Sequence, residues 1–191
     1  MRRVEVIGPS CSGKTTTARR LAAILGVPYI ELDALHHDAG WTEAPAEVLQ
    51  QRVCAALDAA PEGWVVDGTY FGKLGTLVVD AVDTIVWLDI PFRTAIRRVL
   101  WRTARRAIKR EELWNGNRES LRLAFSRESI VLWVLRTHRE FEEKWISRLE
   151  GRNVVRVTDV DAWLQSIQAS ESMSGSSNGS ERQKTPPFVE T

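Results

Sequence analysis

The segment "EVIGPSCSGKTTTARRLA", residues 5–22, constrains this chain more than any other part of it. It reads as a short apolar strand, a loop bracketed by glycines, and a helix. Residues 8–15 match G-x-x-x-x-G-K-S/T, and they do so after a strand and at the start of a helix, where that spacing has a physical meaning. Gly8 and Gly13 permit backbone angles that a side chain resists. The loop can therefore curl with its N–H groups turned inward on an anion, and the following helix aims its positive end at the same point. The expected contacts run through Gly8, Pro9, Ser10, Cys11, Ser12, Gly13, Lys14, Thr15 and Thr16. Lys14 reaches the outer phosphates of a bound nucleotide, and the Thr15 hydroxyl is placed to ligate Mg²⁺. The competing reading is an ordinary strand–turn–helix with no ligand.

The rest of the chain alternates strand and helix. Apolar strands are expected over 2–7, around "VPYIELDAL", in "GWVVDGTY", in "TIVWLDI" and in "NVVRVT". Helices are expected over 14–25 and 45–59, from Pro91 to about Arg110, over 118–149 as one helix or two, and in "TDVDAWLQSI". In the last of these, Thr158 and Asp161 resemble a capping box. Such alternation argues for a parallel sheet covered on both faces, with ligands beyond the carboxyl ends of its strands. From Ala169 the composition turns to Ser, Gly and Pro, and residues 169–191 are expected to be a disordered tail behind a single domain over 1–168.

Composition excludes rather than selects. With 191 residues the chain can bury a core without disulfides or structural metals. A formal net charge of +1 names no polyanionic partner. Two cysteines, Cys11 and Cys54, are too few for a disulfide framework, which fits a reducing compartment. No stretch is apolar over the roughly 18 residues that a membrane span requires, so a cytoplasmic protein is the expectation. Most of the eight tryptophans are expected in the core or in pocket walls.

Three carboxylates fall at or near strand ends. Asp67 in "WVVDGTY" is assigned to Mg²⁺, its water shell or the acceptor site. Asp33 in "YIELDAL" is assigned to acceptor binding or to the role of base. Both have a competing reading as turn or helix caps. Asp89, before Ile90-Pro91, is expected to cap the helix that follows. The stretch "HHDAGW" supplies His36, His37, Asp38 and Trp41. Three near-consecutive ligands rarely converge on one ion, so a polar lid over the acceptor site, with His36, Trp41 and Tyr70 lining that site, is preferred to a metal site, and an ordinary surface loop is the competing reading.

The helix "FRTAIRRVLWRTARRAIKR" carries Arg93, Arg97, Arg98, Arg102, Arg105, Arg106, Lys109 and Arg110, and no acidic residue. Arg98, Arg102, Arg105 and Lys109 form one stripe at helical spacing; Arg102, Arg106 and Arg110 form another. Placed over the phosphate loop, guanidinium groups would neutralise charge on a transferring phosphoryl group and close the site against water. A solvated basic face and a nucleic-acid patch compete with that reading. "ELWNGNRES" follows, and its Asn-Gly turn suits the tip of a lid over about 102–120.

The phosphate loop, "YIELDALHHDAGW", "WVVDGTY", "IVWLDIP", the arginine helix and "ELWNGNRES" occur in one order. Together they resemble the adenylate-kinase-like P-loop NTPases of the topology modulation protein subgroup, over roughly residues 2–165. The resemblance implies a three-layer α/β fold of the nucleoside- and nucleotide-kinase type. Its sheet has five parallel strands in the order 2-3-1-4-5, beneath a helical arginine-rich lid. It also implies an ATP site with Mg²⁺. On it, Asp33 matches the acceptor-side carboxylate, Asp67 matches the carboxylate that organises the magnesium waters, and Lys14 and Thr15 carry over directly. Arg102, Arg106 and Arg110 are the choices within the lid cluster. The turn "DGTYFGK" replaces the "GFPR"-type turn of true adenylate kinases, which argues against AMP as acceptor.

Two functions follow. One is an Mg²⁺-ATP-dependent kinase of a small molecule, with Lys14, Asp33 and the three arginines as its catalytic residues. The other is a nucleotide-dependent regulatory or nucleic-acid-binding protein that grips a polyanion with its basic helix. A kinase of a macromolecular end shares features with both.

Overall fold

In the computed structural model, residues 1–9, 11–109, 145 and 148–177 are described. The elements are β1 (Arg3–Ile7), α1 (Lys14–Leu25), β2 (Tyr29–Glu31), α2 (Leu32–His36), β3 (His37–Asp38), a 3₁₀ turn (Ala39–Trp41), β4 (Thr42–Glu43) and α3 (Ala46–Asp58). They continue with β5 (Trp64–Asp67), α4 (Phe71–Leu74), α5 (Leu77–Ala81), β6 (Thr84–Leu88), α6 (Phe92–Lys109), β7 (Val154–Val157) and α7 (Val160–Ser177). Five strands form one parallel sheet in the order β2-β5-β1-β6-β7. The expected order was 2-3-1-4-5. The labels differ because "HHDAGW" is not a plain loop. It folds into the β3–β4 antiparallel ribbon, which takes two strand numbers without joining the main sheet.

The strands are short and rich in Val, Ile and Trp, residues that fill a pleated surface well. All of β5 and β6 is buried, as befits strands covered on both faces. Helix α1 lays Ala18, Leu21, Ala22 and Leu25 on one face of the sheet, against Val4, Val6, Val65, Val86 and Leu164 of α7. The opposite face holds two clusters. One gathers Ile30, Leu32, Leu49, Val53, Trp64 and Val66; the other gathers Ile7, Val79, Ile85, Trp87 and Trp145. Each fully buried aliphatic or aromatic side chain in these layers contributes about 1.5–3 kcal/mol. Trp64, Trp87 and Trp145 are buried as expected, whereas Trp101 on α6 is exposed.

Helix α7 continues past the composition change at Ala169 to Ser177. Its first turn is capped by Asp159, whose Oδ1 accepts from the Ala162 amide at 3.0 Å, and not by the Thr158–Asp161 pair that the sequence suggested. Asp89 does not act as a side-chain cap among the described contacts; it faces Arg156 of β7 at 3.6 Å. No helix among the described residues is long and apolar enough to cross a membrane.

The parallel register decides where the chemistry sits. Val6 lies opposite Asp67, and Asp67 lies opposite Glu31. The ends of β1, β5 and β2 therefore share one edge, and the loop after Ile7, the Asp67 carboxylate and α2 all emerge there.

Candidate phosphate-binding site

The loop after β1 turns back hard against the sheet. A Cβ added at Gly8 would come within 2.8 Å of Ser12 Oγ and 3.0 Å of Leu88 O. Glycine is what lets the chain pass there. Gly13 caps α1 at φ 100°, and Cys11 adopts a left-handed φ of 60°, an uncommon conformation for a residue with a side chain. The Ser12 amide closes the loop on Pro9 O at 3.1 Å. No side chain caps the N-terminus of α1 and its first turn holds no acidic residue, so the positive end of the helix dipole opens on the loop. Ser10 lies outside the described residues.

Lys14 folds over this curl and donates from Nζ to Gly8 O at 2.8 Å and Pro9 O at 3.0 Å. Ser12 Oγ is buried and has no hydrogen-bond partner among the described residues. An ammonium across the mouth, an orphaned hydroxyl within the curl and an uncapped helix N-terminus together fit an anion of phosphate type. Thr16 points outward and is exposed.

Asp67 is buried at the end of β5, and both its oxygens are occupied. Thr15 Oγ1 donates to Oδ2 at 2.6 Å, and the Tyr29 hydroxyl donates to Oδ1 at 2.9 Å. Burial raises its pKa above the usual carboxylate range, against the lowering effect of those two donors. The expected metal residues, Thr15 and Asp67, are thus in direct contact. A hydroxyl and a buried carboxylate form an oxygen set of the kind that suits Mg²⁺ through its waters.

Asp33 is not at a strand end. Strand β2 stops at Glu31, and Asp33 sits in the first turn of α2. It is reached by Tyr70, whose hydroxyl donates to Asp33 Oδ1 at 2.5 Å. The Tyr70 ring in turn packs on His36, with centroids 4.3 Å apart. Two tyrosines therefore hold the two carboxylates, one each.

His36 is not on the surface of a lid. It is 2 % exposed, at the C-terminus of α2, with Nε2 3.5 Å from Glu43 Oε2 of β4. Burial lowers its pKa, and the Lys73 ammonium adds to that effect. The β3–β4 ribbon is tied down by Arg52, which binds Asp38 at 3.0 Å, and by Lys73, which binds Glu43 at 2.9 Å. Trp41 is half-buried with its ring edge toward His37, at 5.6 Å between centroids. "HHDAGW" folds into the packed β3–β4 ribbon, and no group of His, Cys, Asp and Glu among the described residues is arranged to hold a metal ion by itself.

Of the arginines, Arg98 touches the loop. Its Nη1 donates to Ser12 O at 2.9 Å, across 86 residues of sequence. The sequence put Arg98 in a basic stripe but did not choose it individually. Helix geometry places it two turns after Pro91, close enough to reach back over the loop. Arg102 and Arg106 lie on α6, and Arg110 and most of the expected lid over 102–120 fall outside the described residues.

No family model matches this sequence, and no curated protein does. Solved structures do. A shikimate kinase from Bacteroides thetaiotaomicron superposes with a TM-score of 0.52 at 13% identity, over 88% of this chain and 97% of its own. The two chains share an α/β fold built on a parallel sheet, which in this protein has five strands. A deoxyadenosine kinase from M. mycoides, solved with dCTP, is also similar, with a TM-score of 0.49 at 13% identity over 90% of this chain and 99% of that one. The first of these comparisons carries the fold. At such identity neither assigns a substrate, and the placement of each side chain rests on the geometry above.

Proposed function

We propose that this protein is an Mg²⁺-ATP-dependent phosphotransferase that acts on a hydroxyl of a small molecule. The observation that carries the reading is the 2.6 Å hydrogen bond from Thr15 to Asp67, beside an aspartate held by its own tyrosine. A loop that only bound nucleotide could use Asp67 for its metal but would have no use for Asp33, so Asp33 is what favours transfer to an acceptor. Within the P-loop kinases, the order of motifs from "GPSCSGKT" to "ELWNGNRES" favours the topology modulation protein subgroup.

In this reading Lys14 and the loop amides hold the phosphates, and Thr15 with Asp67 holds the metal and its waters. Bound Mg²⁺ supplies positive charge to the phosphate oxygens, which lowers the cost of charge redistribution during transfer. Asp33 orients the acceptor hydroxyl. Its carboxylate takes the hydroxyl proton as the oxygen bonds to the terminal phosphorus and ADP departs. Arg98 steadies the loop through Ser12 O, and Arg102, Arg106 and Arg110 supply further positive charge from the lid. Phosphoryl transfer needs mainly positioning and charge, and these groups provide both.

The test is ATP consumption across a library of small-molecule acceptors, with Lys14→Ala as control and circular dichroism to establish that the variant is folded. One or more acceptors should raise ADP formation in the wild type alone. A folded Lys14→Ala protein that turns over ATP normally, or a library in which the two proteins never differ, ends the proposal.

A further inference from the structure

Tyr70 lies along one face of α2. Asp33 and His36 are three residues apart on that helix, so their side chains are neighbours on its surface. The Tyr70 hydroxyl donates to Asp33 Oδ1 at 2.5 Å. The Tyr70 ring packs on the His36 imidazole, with centroids 4.3 Å apart and planes inclined by 50°. The tyrosine therefore spans both residues, its tip on one and its ring on the other.

The two contacts restrain different motions. Tyr70 precedes the first turn of α4, and its carbonyl accepts from the Lys73 and Leu74 amides at 2.9 and 2.8 Å, so its backbone is fixed. Its side chain still turns about its own torsions, and one hydrogen bond at the tip lets the ring pivot. A flat ring packed on its flank removes that freedom. His36 is well suited to the task because it is itself held. It is 2 % exposed, meets the His37 ring at 4.6 Å, and sets Nε2 3.5 Å from Glu43 Oε2. Glu43 is bound in turn by Lys73 at 2.9 Å, and Lys73 belongs to α4. The contacts thus form a closed circuit from Tyr70 through His36, Glu43 and Lys73 back to the helix that Tyr70 begins. Burial lowers the His36 pKa, so the imidazole is largely neutral at pH 7 and meets Tyr70 by packing, not as a cation.

We propose that His36 is a positioning residue for the acceptor-side carboxylate: its ring sets Tyr70, and Tyr70 sets Asp33. The inference rests on the phosphotransferase reading, in which Asp33 orients the acceptor hydroxyl and takes its proton. His36 acts through Tyr70 and needs no contact with the acceptor. A small misplacement of Asp33 costs turnover much more than it costs nucleotide binding.

The chain has two tyrosines, Tyr29 and Tyr70, so tyrosine labelled at the ζ carbon gives two NMR signals in the nucleotide-free full chain. Tyr70→Phe assigns them, and Tyr29, bound to Asp67, serves as the internal reference. His36→Ala should move the Tyr70 signal toward its position in Asp33→Ala and leave the Tyr29 signal in place. His36→Leu, which fills space without a flat ring, should act likewise and guards against misfolding of the alanine variant. His36→Phe should keep the wild-type signal. With the acceptor returned by the library screen, His36→Ala should lower kcat about tenfold at unchanged KM for ATP, and His36→Phe should recover most of the loss. Tyr70→Phe with and without His36→Ala should give the same kcat, since either change breaks one link. A Tyr70 signal unmoved in the folded Ala and Leu variants, or kcat losses that add in the double variant, overturns the proposal. Failure of the kinase reading appears instead as ATP turnover that Lys14→Ala leaves unchanged, while the tyrosine signals still report the His36 contact.

Discussion

The Thr15 hydroxyl donates to Oδ2 of Asp67 across 2.6 Å and joins the first turn of α1 to the end of β5. Tyr29 occupies the other carboxylate oxygen at 2.9 Å. Burial raises the pKa of Asp67, and these two donors pull it back. If turnover needs Asp67 ionised, activity is lost as pH falls through that raised pKa. Tyr29→Phe removes a donor that favours the charged form, so the acidic limb of the pH–rate profile should move to higher pH. The shift is read from kcat/KM against pH. An unmoved limb would separate Asp67 from the titration that governs turnover.

Tyr70 and Asp33 test the acceptor side. Tyr70→Phe deletes the hydroxyl that holds Asp33 and keeps the ring against His36. Stability should fall by about 1 kcal/mol, the net worth of one such bond. Turnover should fall further, about tenfold or more, because a loosened base loses its alignment. Thermal melts and steady-state kinetics on the same samples distinguish the two effects. Equal small losses in both would make Tyr70 structural only.

Arg98 joins α6 to the loop through Ser12 O at 2.9 Å. Arg98→Ala should weaken ATP binding about tenfold, in line with the loss of one charge-assisted hydrogen bond. Arg98→Lys should recover part of that loss, since an ammonium keeps the charge but not the planar fork. Fluorescent-nucleotide titration measures both variants. Unchanged affinity in Arg98→Ala would confine its role to the loop's resting shape.

Glu5 makes stability depend on pH. Its folded pKa is about 8, against an ordinary value of 4.5. Between those limits the folded state keeps a proton that the unfolded state has released. Stability therefore falls as pH rises through that window, by up to roughly 1.4 kcal/mol per pH unit from this group. Below the unfolded value the contribution is fully present; above about 8 it is lost. Glu5→Leu should remove this component of the slope and raise stability at pH 8 by about 1–4 kcal/mol, as replacing a buried charge with a packed apolar side chain does. Urea denaturation at several pH values checks it, and an unaltered slope in the variant would refute the assignment.

Much of the phosphate end was legible in the chain. "GPSCSGKT" after an apolar run specifies a local object, and β1, the loop and α1 follow from nearest neighbours. Asp67 was equally visible, because an acid that closes a run of β-branched residues emerges where a parallel strand ends. Asp33 was visible as a candidate but not in its setting. β2 yields to α2 at Leu32, and its tyrosine clamp lies 37 residues away. The string "HHDAGW" suggests a polar lid that includes His36. The β3–β4 ribbon folds it inward onto Tyr70 instead.

By itself, the sequence determined the elements with strong local signals: the glycine-bracketed loop, the apolar strands, the amphipathic α1 and the basic α6. Periodicity and backbone freedom act over a few residues, so they can be read from a string. Tertiary structure alone decided which arginine meets the loop, which tyrosine grips which carboxylate, and that Glu5 Oε2 is buried with no hydrogen-bond partner among the described residues. Those outcomes depend on strand register and helix placement across tens of residues. Parallel pairing sets them by bringing the ends of β1, β5 and β2 to one edge.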